Sequence, residues 1–251
     1  MIDAKNVKQP GSGGKSLKEQ NRWQLWLVVA VNSLFLYGVV QANAIKVAGL
    51  RAVFTDANNL LPVGFALVIS TVLNGVLSAE NKARLVFLRW RNALPGHRAF
   101  SEHAGADPRI DLAALAKLHG SGFPSDPVDQ NRAWYRIYKT VEKEPSIHQV
   151  HRDFLLLRDY TGLCALFIVL YGSAGLYAIP SRKVGLLYVA LLILQYVVVR
   201  QAASNYGIRF VTTVLAQKAA APEKAAPKKA APKKTVPKKA ASRVDPAEPP
   251  Q

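Results

Sequence analysis

Four apolar runs without a single charged residue, at 23–42, 60–79, 161–179 and 184–199, leave this chain few ways to fold. A helix rises about 1.5 Å per residue, so a run of roughly 20 residues spans a hydrocarbon core about 30 Å thick. Inside hydrocarbon a backbone must satisfy its own hydrogen bonds, which favours helices. Pro62 falls in the first turn of the second run, where a missing N–H does no harm. The fourth run is short and recruits Arg200 by snorkelling. The expectation is an all-α integral membrane protein with four transmembrane helices. They form two hairpins, 23–79 and 161–200, around a small helical cytoplasmic domain at 80–160. Polar tails at 1–22 and 218–251 complete the chain.

Few polar groups interrupt the runs. Asn32, Asn74 and Gln195 are read as interhelical hydrogen-bonding residues, each worth about 1 kcal/mol. Pumps and ion-coupled carriers place ionisable groups at mid-membrane, and these runs offer none, which argues against a transporter. Gly172, Ser173, Ala174, Gly175 and Ala178 give the third run a small-residue face suited to close helix packing. The lone cysteine, Cys164, excludes an internal disulfide. Ala42-Asn43-Ala44 has the form of a signal-peptidase site, but the long polar leader and the length of the run favour an uncleaved span.

Charge orients the chain. The formal net charge is +17, yet only Lys46, Arg51, Arg182 and Lys183 fall in the two short connections between paired runs. The remaining Lys and Arg residues lie in the N-terminal tail, the central segment and the C-terminal region. The positive-inside rule puts those three parts in the cytoplasm, and an even number of spans agrees. The expected location is a cell membrane, preferably a bacterial inner membrane.

The central segment reads as short helices. Residues 80–91 continue from the second run, with Ala83, Val86, Phe87 and Trp90 on one stripe. Arg84, Arg89, Trp90 and Arg91 form a candidate lipid-headgroup collar, since Trp beside Arg suits the headgroup layer. Asp107-Pro108 and Asp126-Pro127 each offer an N-cap followed by Pro at the first helical position. Trp134, Ile137, Tyr138 and Val141 mark a buried face, and Pro145 stops that helix. Ser146 and Gln149 have the spacing of a capping box for the next one, whose stripe is Ile147, Val150, Phe154 and Leu157. A core of about 80 residues is marginal alone, so the segment is expected to lean on the membrane, a second copy or a partner.

No motif for a reaction emerges. Gly11-Ser12-Gly13-Gly14-Lys15-Ser16 invites a phosphate-loop reading, but Gln9 stands where that loop needs its first glycine. His97, His103, His119, His148 and His151 all lie in the central segment. His148 and His151 fall on one helix with Asp153 nearby, but no spacing supplies a third metal ligand. Ser101-Glu102-His103 are adjacent only in sequence, and triads are made by folding. No H-E-x-x-H, G-x-S-x-G or dinucleotide-binding glycine pattern occurs. The expectation includes no cofactor, no metal and no catalytic residue.

Residues 201–217 read as a juxtamembrane helix, with Ile208, Val211, Val214 and Leu215 lying along a surface. A repeat of five residues with Pro at its centre then carries Lys224, Lys228, Lys229, Lys233, Lys234, Lys238 and Lys239. This stretch is too poor in apolar residues to fold. Its composition resembles the Lys/Ala/Pro tails of linker histones, which implies charge-driven binding. Without aromatic residues it has no means of reading bases, so its partners are anionic phospholipid, acidic protein or nucleic acid bound non-specifically. The expected function is a non-enzymatic multi-pass membrane anchor or scaffold, with self-association possible. The alternative is a channel-like or membrane-permeabilising effector controlled by the cytoplasmic domain.

Overall fold

The computed structural model describes residues 16–42, 74–119 and 122–220, with isolated helical positions at 46, 68, 69 and 72. Among the described residues all regular structure is helical. The principal helices are α1 (Leu17–Val40), α2 (Ala79–Phe87), α3 (Leu112–His119), α4 (Pro127–Val141), α5 (Pro145–Ala178) and α6 (Arg182–Ala220). Short helical turns cover Pro95–Arg98, Ala99–His103 and Ala104–Ala106. Three helices, α1, α5 and α6, are long and apolar enough to cross a membrane. Most of the second apolar run, and all the tail lysines from Lys224 to Lys239, lie outside the described residues.

α1 begins ahead of its apolar run. Ser16 caps it by a reciprocal capping box with Glu19, so the polar stretch just before Trp23 is already helical. Two side chains join α1 to α5 at different heights. Buried Asn21 donates from Nδ2 to the Arg152 carbonyl at 2.8 Å, and Ser33 Oγ meets Tyr171 Oη at 2.7 Å. Between them lies an apolar core of Val29, Leu163, Phe167, Tyr171, Tyr188 and Leu192. The outward residues here are apolar too: Leu27, Val31 and Leu34 on α1, Leu176 on α5, Leu187 and Leu194 on α6. Helices that are apolar inside and outside suit a hydrocarbon surround.

α5 and α6 form one long antiparallel pair. Gly175 lets them close: a Cβ there would come within 2.7 Å of the Tyr188 ring. Gly172 faces Val189 in the same seam. Ser173, Ala174 and Ala178 turn outward instead, and Ser173 returns its hydroxyl to the Val169 carbonyl of its own helix. Neither helix stops where its apolar run stops. Residues 201–217 continue α6 without a break rather than lying along a surface. Val211, Val214 and Leu215 are at most 1 % exposed because they fill the core of the polar body. The opposite side of that stretch carries exposed Gln201, Asn205 and Arg209, so α6 becomes amphipathic after Arg200.

The polar body wraps this lower part of the pair. Phe100, Ile110, Leu115, Trp134, Ile147 and Phe154 pack with Phe210, Val211, Val214 and Leu215 into one core. Trp134 meets Phe210 edge-on at 5.3 Å and donates from Nε1 to the Val211 carbonyl at 3.4 Å. Gln130, buried, ties α4 to the turn Ala99–His103: its Oε1 accepts from the Phe100 and Ser101 backbone N–H groups, both at 3.2 Å. A buried amide with its bonds made costs little, whereas the two N–H groups left alone would each cost 1–3 kcal/mol or so.

Several local readings change. α2 starts afresh at Ser78, whose hydroxyl accepts from Asn81 N, and it ends at Phe87 with Leu88 in the left-handed region (φ 50°). Trp90 therefore leaves the stripe of Ala83 and Val86, and 81 % of its surface is exposed. Asp111, not Asp107, caps α3 through Ala114 N. Asp107 is taken by Arg109, which also reaches Thr212 of α6. Asp126 does cap α4, accepting from Val128 N and Asp129 N. Pro145 does not merely end that helix; it opens α5 at its first turn, where its missing N–H is harmless. Ser146 is then inside α5, and Gln149 bonds Asp153 instead of closing a box.

Gly207 of α6 tests the packing of the body onto the helical pair. A Cβ at Gly207 would meet Phe87 at 2.7 Å and Phe154 at 2.8 Å, while one at Gly105 meets nothing within 4 Å. Gly207→Val is expected to cost about 1–3 kcal/mol by overpacking, and Gly105→Ala to be near neutral. Thermal unfolding of detergent-solubilised protein, with both variants side by side, checks the contrast.

Candidate functional site

Four charged residues that flank the first three apolar runs converge on one recess. Lys82 comes from α2, Arg158 and Asp159 from α5, and Arg22 from α1. Asp159 Oδ1 receives Arg158 Nη2 at 2.9 Å, Arg158 Nε at 3.1 Å and Lys82 Nζ at 3.3 Å. All three side chains are under 10 % exposed. Two cations thus share one buried carboxylate, a geometry whose attraction only just repays the desolvation of the ions. Lys82 packs over Gly162 of α5, where an added Cβ would sit 3.3 Å from Asn74 Oδ1 and 3.4 Å from Lys82 Cγ.

A recess of about 220 Å³ opens beside this cluster. Arg22, Lys82, Arg158 and Asp159 line its polar end. Trp26, Val29 and Leu163 line the end that continues into the apolar core. Asn74 also borders it, and its Oδ1 is buried with no hydrogen-bond partner among the described residues. A second recess, about 210 Å³, lies in the body among Trp134, Tyr138, His151 and Phe210. Arg158 borders both recesses.

The interhelical candidates behave differently from one another. Gln195 donates to Tyr160 Oη at 2.9 Å, joining α6 to α5. Asn32 does not cross to another helix; its Nδ2 donates to the Val28 carbonyl one turn back at 2.9 Å. Asparagine reaches that carbonyl easily because it lies directly beneath it on the same helix. In the collar group, Arg84 pairs with Glu80 at 2.6 Å and stands 5.4 Å from the Trp90 ring centre. Arg89 lies 3.9 Å from Glu102, and Arg91 is exposed. Tyr196 and Arg200 of α6 donate to the Leu85 and Val86 carbonyls at the end of α2, fixing α2 against the helical pair.

The histidines do not gather. His97 Nδ1 contacts the Pro127 carbonyl at 2.9 Å. His148 is exposed, while the His151 ring stacks on Phe210 at 4.5 Å and meets Tyr138 Oη at 3.2 Å. The two therefore serve different surroundings although they are one turn apart. Among the described residues no group of three or more His, Cys, Asp and Glu is placed to hold a metal ion. His103 is buried with Nε2 unpartnered among the described residues. Burial, reinforced by the nearby Arg98, pushes its pKa below the ordinary value.

Two outcomes follow. Asp159→Asn removes the buried carboxylate that Lys82 and Arg158 share and is expected to cost about 3–5 kcal/mol. Lys82→Met, which leaves the Arg158–Asp159 pair, is expected to cost less. Chemical or thermal unfolding in detergent measures both, and equal losses would refute the shared-carboxylate account. For His103, the folded state resists the proton that the unfolded chain takes up below about pH 6.5. Stability should therefore fall as pH drops through that value. His103→Gln should flatten the dependence of melting temperature on pH between 7.5 and 5.5.

In comparisons with known proteins, no family model, no curated protein and no solved structure matches this chain.

Proposed function

We propose that the chain is a non-enzymatic multi-pass membrane anchor or scaffold. Its four spans form two hairpins in a cell membrane, preferably a bacterial inner membrane, with both termini and the polar body on the cytoplasmic side. The observation that carries this reading is the unbroken passage of α5 and α6 from an apolar-faced half into the core of the polar body. A body built around the ends of two spans is held at the membrane rigidly, which is what a platform for partners requires. The lysines from Lys224 to Lys239 would lie on anionic lipid by default. They would exchange onto acidic protein or nucleic acid when one is supplied. Arg84, Arg89, Trp90 and Arg91 would face the headgroups beside α2.

A second reading, a channel-like or membrane-permeabilising effector, draws on the buried charge cluster at the base of the apolar helices. The cluster lies at the end of the uncharged runs, where a gate would open or close the entrance to a path between them. The two readings part in a leak assay. Purified protein in dye-loaded vesicles of mixed neutral and anionic lipid should release nothing if it is an anchor. Steady leak would replace the anchor with the effector. Orientation is checked in the same Cys164→Ser background by a membrane-impermeant thiol reagent. Ser181→Cys should label from outside intact cells and Thr140→Cys should not; the reverse pattern would overturn the cytoplasmic placement of the body.

A further inference from the structure

We propose that the recess between α1, α2 and α5 binds the phosphate of an anionic glycerophospholipid, at a defined site separate from the polybasic tail and from the Arg84–Trp90 surface. The proposal rests on the membrane reading above. Its first support is charge. Arg22, Lys82 and Arg158 line the recess against the single carboxylate of Asp159, a formal surplus of two positive charges at its wall. Both buried cations already share one oxygen of that carboxylate. Among the described residues no carboxylate pairs with Arg22, whose side chain is exposed. A positive surplus partly removed from water is stabilised by an anion that brings its own charge to the same place.

Shape supplies the second support. The recess is polar at one end only. Away from the cations its wall is Leu25, Trp26, Val29 and Leu163, and Val29 and Leu163 belong to the apolar core between α1 and α5. Inorganic phosphate would use the charged end and leave that wall idle. A phospholipid uses both: phosphate at Arg22, Lys82 and Arg158, glycerol backbone and first methylenes along the partly exposed Leu25 and Trp26. Trp26 is the amphipathic residue suited to that boundary. The third support is Asn74, whose buried Oδ1 lacks a donor among the described residues. A hydroxyl on the headgroup, as in phosphatidylglycerol, supplies one. Choline, which has no donor, cannot.

Arg22→Gln is the discriminating variant because Arg22 is exposed and makes no ion pair among the described residues, so the fold should survive its loss. Detergent-solubilised full-length protein is titrated with short-chain phosphatidylglycerol, phosphatidylcholine, glycerol phosphate and inorganic phosphate, and its melting temperature is followed. Each titration is repeated on a chain ending at Lys218, which removes the tail lysines. Phosphatidylglycerol alone should raise the melting temperature in both chains. Arg22→Gln should weaken that response roughly tenfold or more in apparent affinity, the loss expected of one charged hydrogen bond. Arg22→Lys should keep most of it. An equal response to phosphatidylcholine, or an unchanged response in Arg22→Gln, would overturn the site. A full response to glycerol phosphate or inorganic phosphate would overturn the lipid as its occupant, and a response lost with the tail would reassign it to the tail. Alkaline carbonate extraction of the same cells separates the two levels: protein released as soluble material fails the membrane reading itself, while protein retained in the membrane with no phosphatidylglycerol response fails only this site.

Discussion

The close antiparallel packing of α5 on α6 is the contact on which the other elements depend. In the apolar half it is a glycine seam, with Gly175 under Tyr188 and Gly172 under Val189. In the polar half it widens to admit aromatic rings, and Phe154 and Phe210 stand 6.3 Å apart between centroids. Each remaining element then covers one side of the pair. α1 closes the apolar half through Asn21 and Ser33, α4 reaches α6 through Trp134, and α2 is pinned by Tyr196 and Arg200. None of these elements has a core of its own. The polar body is small enough to be marginal alone, and it borrows its interior from two helices that begin elsewhere.

The charge cluster sits where the two halves meet. Lys82, Arg158 and Asp159 are close to a break-even arrangement in energy but specific in geometry. A shift of α2 along α5 would break the Lys82–Asp159 pair and leave the Arg158–Asp159 pair, both of whose members lie on α5. Ion pairs that are neutral in stability can still constrain register, and Lys82–Asp159 joins α2 to α5. Arg158 adds a second relation, since it borders the recess in the body as well as the one beside α1.

What was legible in the sequence follows the range of the interactions. The apolar runs carried α1, α5 and α6 because span length is a local property. Asp126-Pro127 was readable because an N-cap and its N–H donors lie within a few residues. Pro145 was misleading for the same reason: proline ends one helix and opens another with equal ease, and only the surrounding fold decides. The stripe of Val211, Val214 and Leu215 was visible, but its covering was not, since Trp134 is 77 residues away in the chain. The charge cluster left no trace for a similar reason. Lys82 and Asp159 are ordinary charged residues in a polar segment until folding brings them to 3.3 Å. Asn32 could have been anticipated, because its acceptor lies on its own helix.

The unbroken α6 also fixes a distance. Its 39 residues extend about 58 Å at roughly 1.5 Å per residue. A hydrocarbon layer about 30 Å thick takes up only half of that length. The other half is a stiff post, because the helix runs from the apolar core into the core of the body without a break. Flexible linkers let a tethered domain sample a cloud of positions; here the continuous helix sets the spacing between the apolar half and the body. Lengthening or shortening α6 by whole turns between the apolar core and the body would shift one against the other in steps of about 5.4 Å.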